Sequence, residues 1–190
     1  MYGTDAAAAP KAAVRISCIG QMVAHALILF VLPALLLAAA VWDIASYTIP
    51  NFLQLALLAA FAILMIVHPL SAGDFGMHLL AGFIGLVAGF TLFSLGYIGG
   101  GDAKLFACIA LWFGIDDLLP FTLIASVFGG ILTLSLLAMR LWPLPAPLAT
   151  QNWLLRLHDD RAGIPYGAAL AAGAFFILSQ AEIFRTALAG

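Results

Sequence analysis

Apolar residues fall in long blocks along this chain, and the charged residues collect in the gaps between them. From Ile16 to Trp42 the only ionisable side chains are His25 and Cys18. That length suffices to cross a bilayer, which takes about 20 residues. A second block opens near Pro50, runs to about Val67 and stops at His68-Pro69; a third extends from Phe75 to Gly96. Leu105 to Ile115 is apolar but too short to span alone, Leu118 to Met139 is full length, and a last block runs from about Pro165 to Ala181. Hydrocarbon admits only helices and closed barrels, and these blocks lack the strict alternation of a barrel strand. The pattern predicts an all-α polytopic membrane protein with about six transmembrane helices, a single domain over 16–190 behind an N-terminal tail, 1–15.

The junctions refine this picture. Pro50 biases Ile49 towards extended backbone and suits the first turn of a new helix. Ser71-Ala72-Gly73-Asp74 reads as a loop, and Asp116-Asp117 as a turn on the opposite membrane face. Gly82, Gly85 and Gly89 form a small-residue face that permits close helix contact. Between Arg140 and Gly163, three prolines (Pro143, Pro145, Pro147) precede Trp153, Leu154, Leu155 and Leu157 beside Arg156 and Arg161. That mixture suits a segment lying in the membrane interface. A cleaved signal peptide would also set Lys11 and Arg15 before an apolar run ending in Ala38-Ala39-Ala40, but this run is longer than a typical signal core.

Composition agrees. Of 190 residues 65% are hydrophobic and 8% charged, against roughly 45–50% and about 25% in soluble domains. A net charge of −2 gives no attraction to nucleic acid. Cys18 and Cys108 sit singly in apolar blocks and read as small buried hydrophobes. His25, His68, His78 and His158 are scattered, so neither a metal site nor a cofactor is expected.

Against that background two carboxylates stand out. Gly99-Gly100-Gly101-Asp102-Ala103-Lys104 delivers an Asp to the end of an apolar stretch, and Asp43 closes the first block. Two crossings separate them, so both face the same side of the membrane. Asp102 could cap the helix that starts at Ala103; as a pair, however, close carboxylates share a proton, one serving as general base on water while the other polarises a carbonyl. Lys104 and a helix N-terminus would make Asp102 the member that carries the charge. The glycines would form a tight turn, let a substrate backbone approach, and act as a hinge. No serine has a His at a suggestive spacing, and the glycine run lacks the spacing of a phosphate-binding loop. Lys104, Arg140, Arg156 and Arg161 on the Asp43 side outnumber Lys11, Arg15 and Arg185 on the other, which favours a cytoplasmic active face.

These motifs resemble the type IV prepilin peptidases, membrane aspartyl proteases of the GxGD class. Gly99-Gly100-Gly101-Asp102 fits GxGD, Asp43 stands six residues before Ile49-Pro50-Asn51, and Gly163-Ile164-Pro165-Tyr166-Gly167 is similar to the family's segment opening the last helix. The resemblance implies Asp43 and Asp102 as catalytic residues. Gly99, Gly100, Gly101, Lys104, Ile49, Pro50, Asn51, Pro165, Tyr166 and Gly167 would support the site or bind substrate. It also implies cleavage after a glycine of short basic leaders from prepilins and pseudopilins, at the cytoplasmic face of the bacterial cytoplasmic membrane, with the bilayer as the other partner. Longer relatives carry paired CxxC motifs and methylate the new N-terminus; this chain has only Cys18 and Cys108 and resembles the short branch serving Flp-type pili in tight-adherence systems. The Ser46-Tyr47-Thr48 loop is neutral where the family is often basic. Alternatives are a GxGD protease with another membrane substrate, and a non-catalytic transporter or assembly subunit whose aspartates carry protons or ions.

Overall fold

The computed structural model describes residues 11–142, 151–159 and 163–181, and all regular structure among them is helical. Helix α1 (Lys11–Ala26), a π-helical turn (Leu27–Val31) and α2 (Leu32–Ser46) follow one another without a break. Then come α3 (Asn51–Val67), α4 (Ala72–Ser94), α5 (Gly100–Arg140), the short α6 (Asn152–His158) and α7 (Tyr166–Leu178). Three stretches, Ile19–Ser46, Ala72–Ser94 and Gly100–Arg140, are long and apolar enough to cross a membrane, while α3 and α7 are shorter apolar helices. Large apolar side chains such as Phe30, Ile66 and Leu134 point outward, as they should where the solvent is lipid. The expected all-α membrane architecture is what the chain adopts.

Several boundaries differ from expectation. Of the tail, residues 1–10 lie outside the described residues, whereas Lys11 to Arg15 already belong to α1. The expected loop at Ser71–Asp74 is the first turn of α4: Ser71 is the N-cap, its Oγ accepting from the Asp74 amide over 3.1 Å and donating to Asp74 Oδ2 over 2.7 Å. A Ser followed three residues later by an acid is a helix start rather than a loop. At the other end of α4 the reversal falls on Gly96, whose φ of 77° is left-handed. The Tyr97 amide bonds back to Leu92 O over 3.0 Å, closing the helix in the manner of a Schellman motif.

Helix α5 is two arms. Forty-one residues of straight helix would measure about 60 Å, twice the hydrocarbon thickness. Gly114 breaks it, with φ 73° and ψ −176°. Phe106 stacks on Phe121 with ring centroids 5.5 Å apart, although fifteen residues of straight helix would separate them by about 22 Å. The chain therefore folds back, 100–113 forming one arm and 115–140 the other. The reversal expected at Asp116-Asp117 is thus at Gly114, and the two acids sit in the first turn after it, where a helix N-terminus favours negative charge. Leu111 lies in the last turn of the first arm, where carbonyls lack intrahelical partners. His78 Nδ1 meets its oxygen at 2.8 Å; a carbonyl only accepts, so Nδ1 carries the proton.

Without a hydrophobic drive between helices in lipid, close packing must hold them. The glycine face of α4 does so against the first arm of α5: a Cβ on Gly85 would sit 2.8 Å from Ala110 Cβ, and one on Gly89 2.9 Å from Ala103 O. Helix α7 packs between α2 and α5, and a Cβ on Gly173 would lie only 2.7 Å from Ala125 Cα. Trp112, fully buried, donates from Nε1 to Leu57 O over 3.1 Å and ties α3 to α5. Cys108 is buried as expected; the side chain of Cys18 lies outside the described residues. Of the anticipated interfacial segment, the structure describes α6, with Trp153 and Leu155 exposed and Leu157 buried. Pro143, Pro145, Pro147 and Arg161 fall outside the described residues, as does Arg185.

Candidate active site

Each carboxylate is placed by a helix end. Asp43 lies in the last turn of α2, which stops where Tyr47 turns left-handed (φ 57°) and its amide bonds to Asp43 O over 2.7 Å. Ser46 Oγ donates to Trp42 O over 2.8 Å and contacts Thr48 Oγ1 at 3.0 Å, reinforcing the stop. Asp102 occupies the first turn of α5, and its Oδ2 accepts from the Gly99 amide over 3.1 Å. The expected cap of a helix starting at Ala103 is not what forms: α5 starts at Gly100 with Gly99 as its N-cap, and Asp102, in its first turn, reaches back to the Gly99 amide through Oδ2, which leaves Oδ1 directed elsewhere. Both acids are buried, with exposures of 2% and 6%.

The two meet at the N-terminus of α7. A Cβ on Gly167 would lie 2.8 Å from Asp43 Oδ2 and 3.0 Å from Asp102 Oδ1, so both oxygens converge on one point. The Ala168 amide donates to Asp43 Oδ2 over 3.1 Å, and the Gly167 amide interacts with both carboxylates. A helix N-terminus offers unpaired N–H groups and positive potential, which here are directed at a pair of acids from two other helices. The same Cβ would come within 2.5 Å of Ile49 Cδ1. Only glycine fits at 167.

Ile49 explains why the motifs belong together. Its backbone N and its Cβ each lie 3.3 Å from where a Cβ of Gly101 would be, while its tip reaches Gly167. This one buried side chain wedges the α2–α3 connection against the first turns of both α5 and α7. Pro50, at the N-cap of α3 with φ −62° and ψ 141°, holds Ile49 in place. The space at Gly101 that was expected to admit a substrate backbone is thus filled by Ile49, and that at Gly100 faces Phe93. Nor do Gly99 to Gly101 form the tight turn, which is at Gly96; they open α5, with Gly99 at φ −72° as its N-cap.

Lys104 was expected beside Asp102. Its Nζ instead donates to Asn51 Oδ1 over 3.0 Å at the exposed rim, joining α5 to the start of α3. Pro165 caps α7, and the Tyr166 ring stands 3.7 Å from the Cβ position of Gly129 on the second arm of α5. Two residues that the sequence does not assign to the site contribute to it. Gln54, buried one turn after Asn51, donates from Nε2 to Gly101 O over 3.3 Å; a lone amide inside an apolar block was the available signal. Arg140, at the end of α5, donates to Leu157 O over 2.9 Å and to Gly163 O over 3.2 Å, fastening α6 and the approach to α7. Tyr47 stands beside Arg140, and burial pushes its phenol above the ordinary value, so the hydroxyl stays protonated. Among the described residues no three His, Cys, Asp or Glu side chains group to hold a metal.

An all-helical membrane protein with two buried aspartates joined at a third helix end defines a class by its site. Residues 30–134 match the family model of the type IV leader peptidases, more than half of the chain, and the chain belongs to that family of proteases. The match spans Asp43, Ile49-Pro50-Asn51 and Gly99 to Asp102 but ends before Pro165-Tyr166-Gly167, whose place in the site comes from the geometry. Comparison with curated proteins returned no match, and neither did comparison with solved structures.

Proposed function

We propose that this chain is an aspartyl endopeptidase of the bacterial cytoplasmic membrane that removes the leader from Flp-type prepilins and pseudopilins after a glycine, with Asp43 and Asp102 as its catalytic pair. The observation that carries this reading is the convergence of the two carboxylates on Gly167. One carboxylate, ionised, takes a proton from a water whose oxygen adds to the scissile carbonyl carbon; the other, protonated, donates to the carbonyl oxygen. When the C–N bond breaks, one acid passes its proton to the leaving amine while the other takes a proton from a hydroxyl of the tetrahedral diol as the new carboxyl forms, so the pair ends as it began with one proton between two acids. The exchange belongs to the pair. Ile49, Pro50, Gly101, Pro165 and Gly167 hold its geometry, and Lys104 with Asn51 braces the rim. Lys104, Arg140 and Arg156 cluster at the dyad end, which supports a cytoplasmic active face.

Co-expression with a Flp-type prepilin tests this, with leader removal scored by mass spectrometry for wild type, Asp43→Asn and Asp102→Asn at matched membrane abundance. Wild type should cleave after the leader glycine and each variant should be inactive. Cleavage that survives either substitution would sink the two-aspartate mechanism and reopen the reading of the chain as a carrier or assembly subunit.

A further inference from the structure

Two apolar grooves flank the first arm of α5. The one of about 590 Å³, bordered by Asn51, Gln54 and Lys104, contains neither carboxylate. The other, of about 530 Å³, runs between both arms of α5 and α7, with Asp102, Phe106, Ser126, Gly130 and Leu170 along it. Anything lying in this second groove lies against Asp102.

Its chemistry selects the occupant. Thr122, Ser126 and Thr133 would make the wall polar, but each hydroxyl donates over 2.7 Å to the carbonyl four residues earlier in its own helix. Their protons are spent within the helix, so the wall has no hydroxyl proton to give, is lined mainly by apolar groups and offers a basic leader no carboxylate other than Asp102. Outward-facing Leu134 marks a side open to lipid, by which a membrane-embedded segment enters sideways. At Gly129 the ring of Tyr166 closes the wall, whereas a Cβ on Gly130 would have nothing within 4 Å. Gly130 is therefore the point where the groove has room for a side chain that is not its own.

Resting on the peptidase reading above, we infer that this groove seats the apolar segment on the carboxyl side of the scissile bond, and that Gly130 sets the size of the side chain accepted there. The basic leader leaves by another route. Gly130→Phe adds a ring where a Cβ meets nothing within 4 Å, and Val127→Phe adds the same ring at an exposed position of the same helix that does not line the groove.

The probes are co-expressed chains with a basic leader, a glycine and an apolar helix of about 20 residues, differing in whether the first apolar residues after the glycine are large or small. Gly130→Phe should slow cleavage of the large-residue probe about tenfold or more and spare the small-residue probe, while Val127→Phe cleaves both like wild type. In parallel, a photo-reactive amino acid at position 130 of the Asp102→Asn protein should cross-link to the probe just after its glycine. Equal cleavage of both probes by Gly130→Phe, or adducts at 130 with lipid alone, would make the groove a lipid site and overturn the inference while leaving the peptidase reading intact. Failure of the wild type to cleave either probe would overturn both.

Discussion

The Ala168 amide donates to Asp43 Oδ2 over 3.1 Å, joining residues 125 apart in the chain. Through this bond the first turn of α7 becomes part of the wall around the dyad, and the position one residue earlier has no room for any side chain. Gly167→Ala forces its methyl against Ile49 and both carboxylates. A displacement of about 1 Å at reacting groups costs about 100-fold in rate, so cleavage by Gly167→Ala should fall by about that factor or more. Assays against a prepilin probe at matched membrane abundance check this; near-normal cleavage would mean that the two acids are not held by α7.

Gly173 and Gly76 form a matched pair for stability. A Cβ at 173 meets the backbone of Ala125, whereas one at 76 meets nothing within 4 Å. Gly173→Ala should destabilise by about 1–3 kcal/mol through overpacking. Gly76→Ala, inside α4, should be neutral or stabilise by up to about 1 kcal/mol from helix propensity. Thermal unfolding in detergent distinguishes the two.

At the fold-back of α5, His78→Leu removes the proton given to Leu111 O. A carbonyl left unpaired away from water costs about 1–3 kcal/mol, which should appear as a lowered unfolding temperature. Because the kink lies at the far end of the first arm from Asp102, prepilin cleavage by the surviving folded protein should be unchanged.

Lys104 and Asn51 should behave as a brace. Both are exposed and bonded to each other, so a double-mutant cycle with Lys104→Met and Asn51→Ala should give a coupling of about 0.5–1.5 kcal/mol in stability. Loss of cleavage as complete as that expected for Asp102→Asn would place Lys104 at the reacting atoms instead.

The apolar blocks were legible because lipid tolerates few exceptions: Pro50, Val67 and Ser94 end or begin helices close to where the polar gaps suggested. The start of α4 is hidden in the pattern because Ala72 and Gly73 look like loop while the Ser71 and Asp74 caps decide the matter. The fold-back lies two residues before Asp116 because the reversal is made by the left-handed backbone of Gly114, which a lone glycine in an apolar block does not announce. Asp43 and Asp102 stood out as charges in an uncharged chain, but nothing local to either reveals that Ile49 fills Gly101 or that Gly167 receives both acids. Those are three-helix contacts, visible only once the chain is folded. Gln54 is a lone amide inside an apolar block, and a single polar residue has no spacing to read.

The π-helical turn ahead of α2 has a bearing on Asp43. Within it the Leu32 amide reaches back five residues to Leu27 O rather than four, so the turn holds one residue more than an α-helix would, just before Pro33, which has no amide to give. Each residue of α-helix advances the direction of a side chain by about 100°. The extra residue therefore acts as a phase shift, set some three turns upstream, and the inward bearing of Asp43 depends on it. Deleting a residue from 27–31 while keeping every motif intact would restore an ordinary helix and swing the carboxylate away from Gly167. In this chain the aim of one acid is a matter of counting.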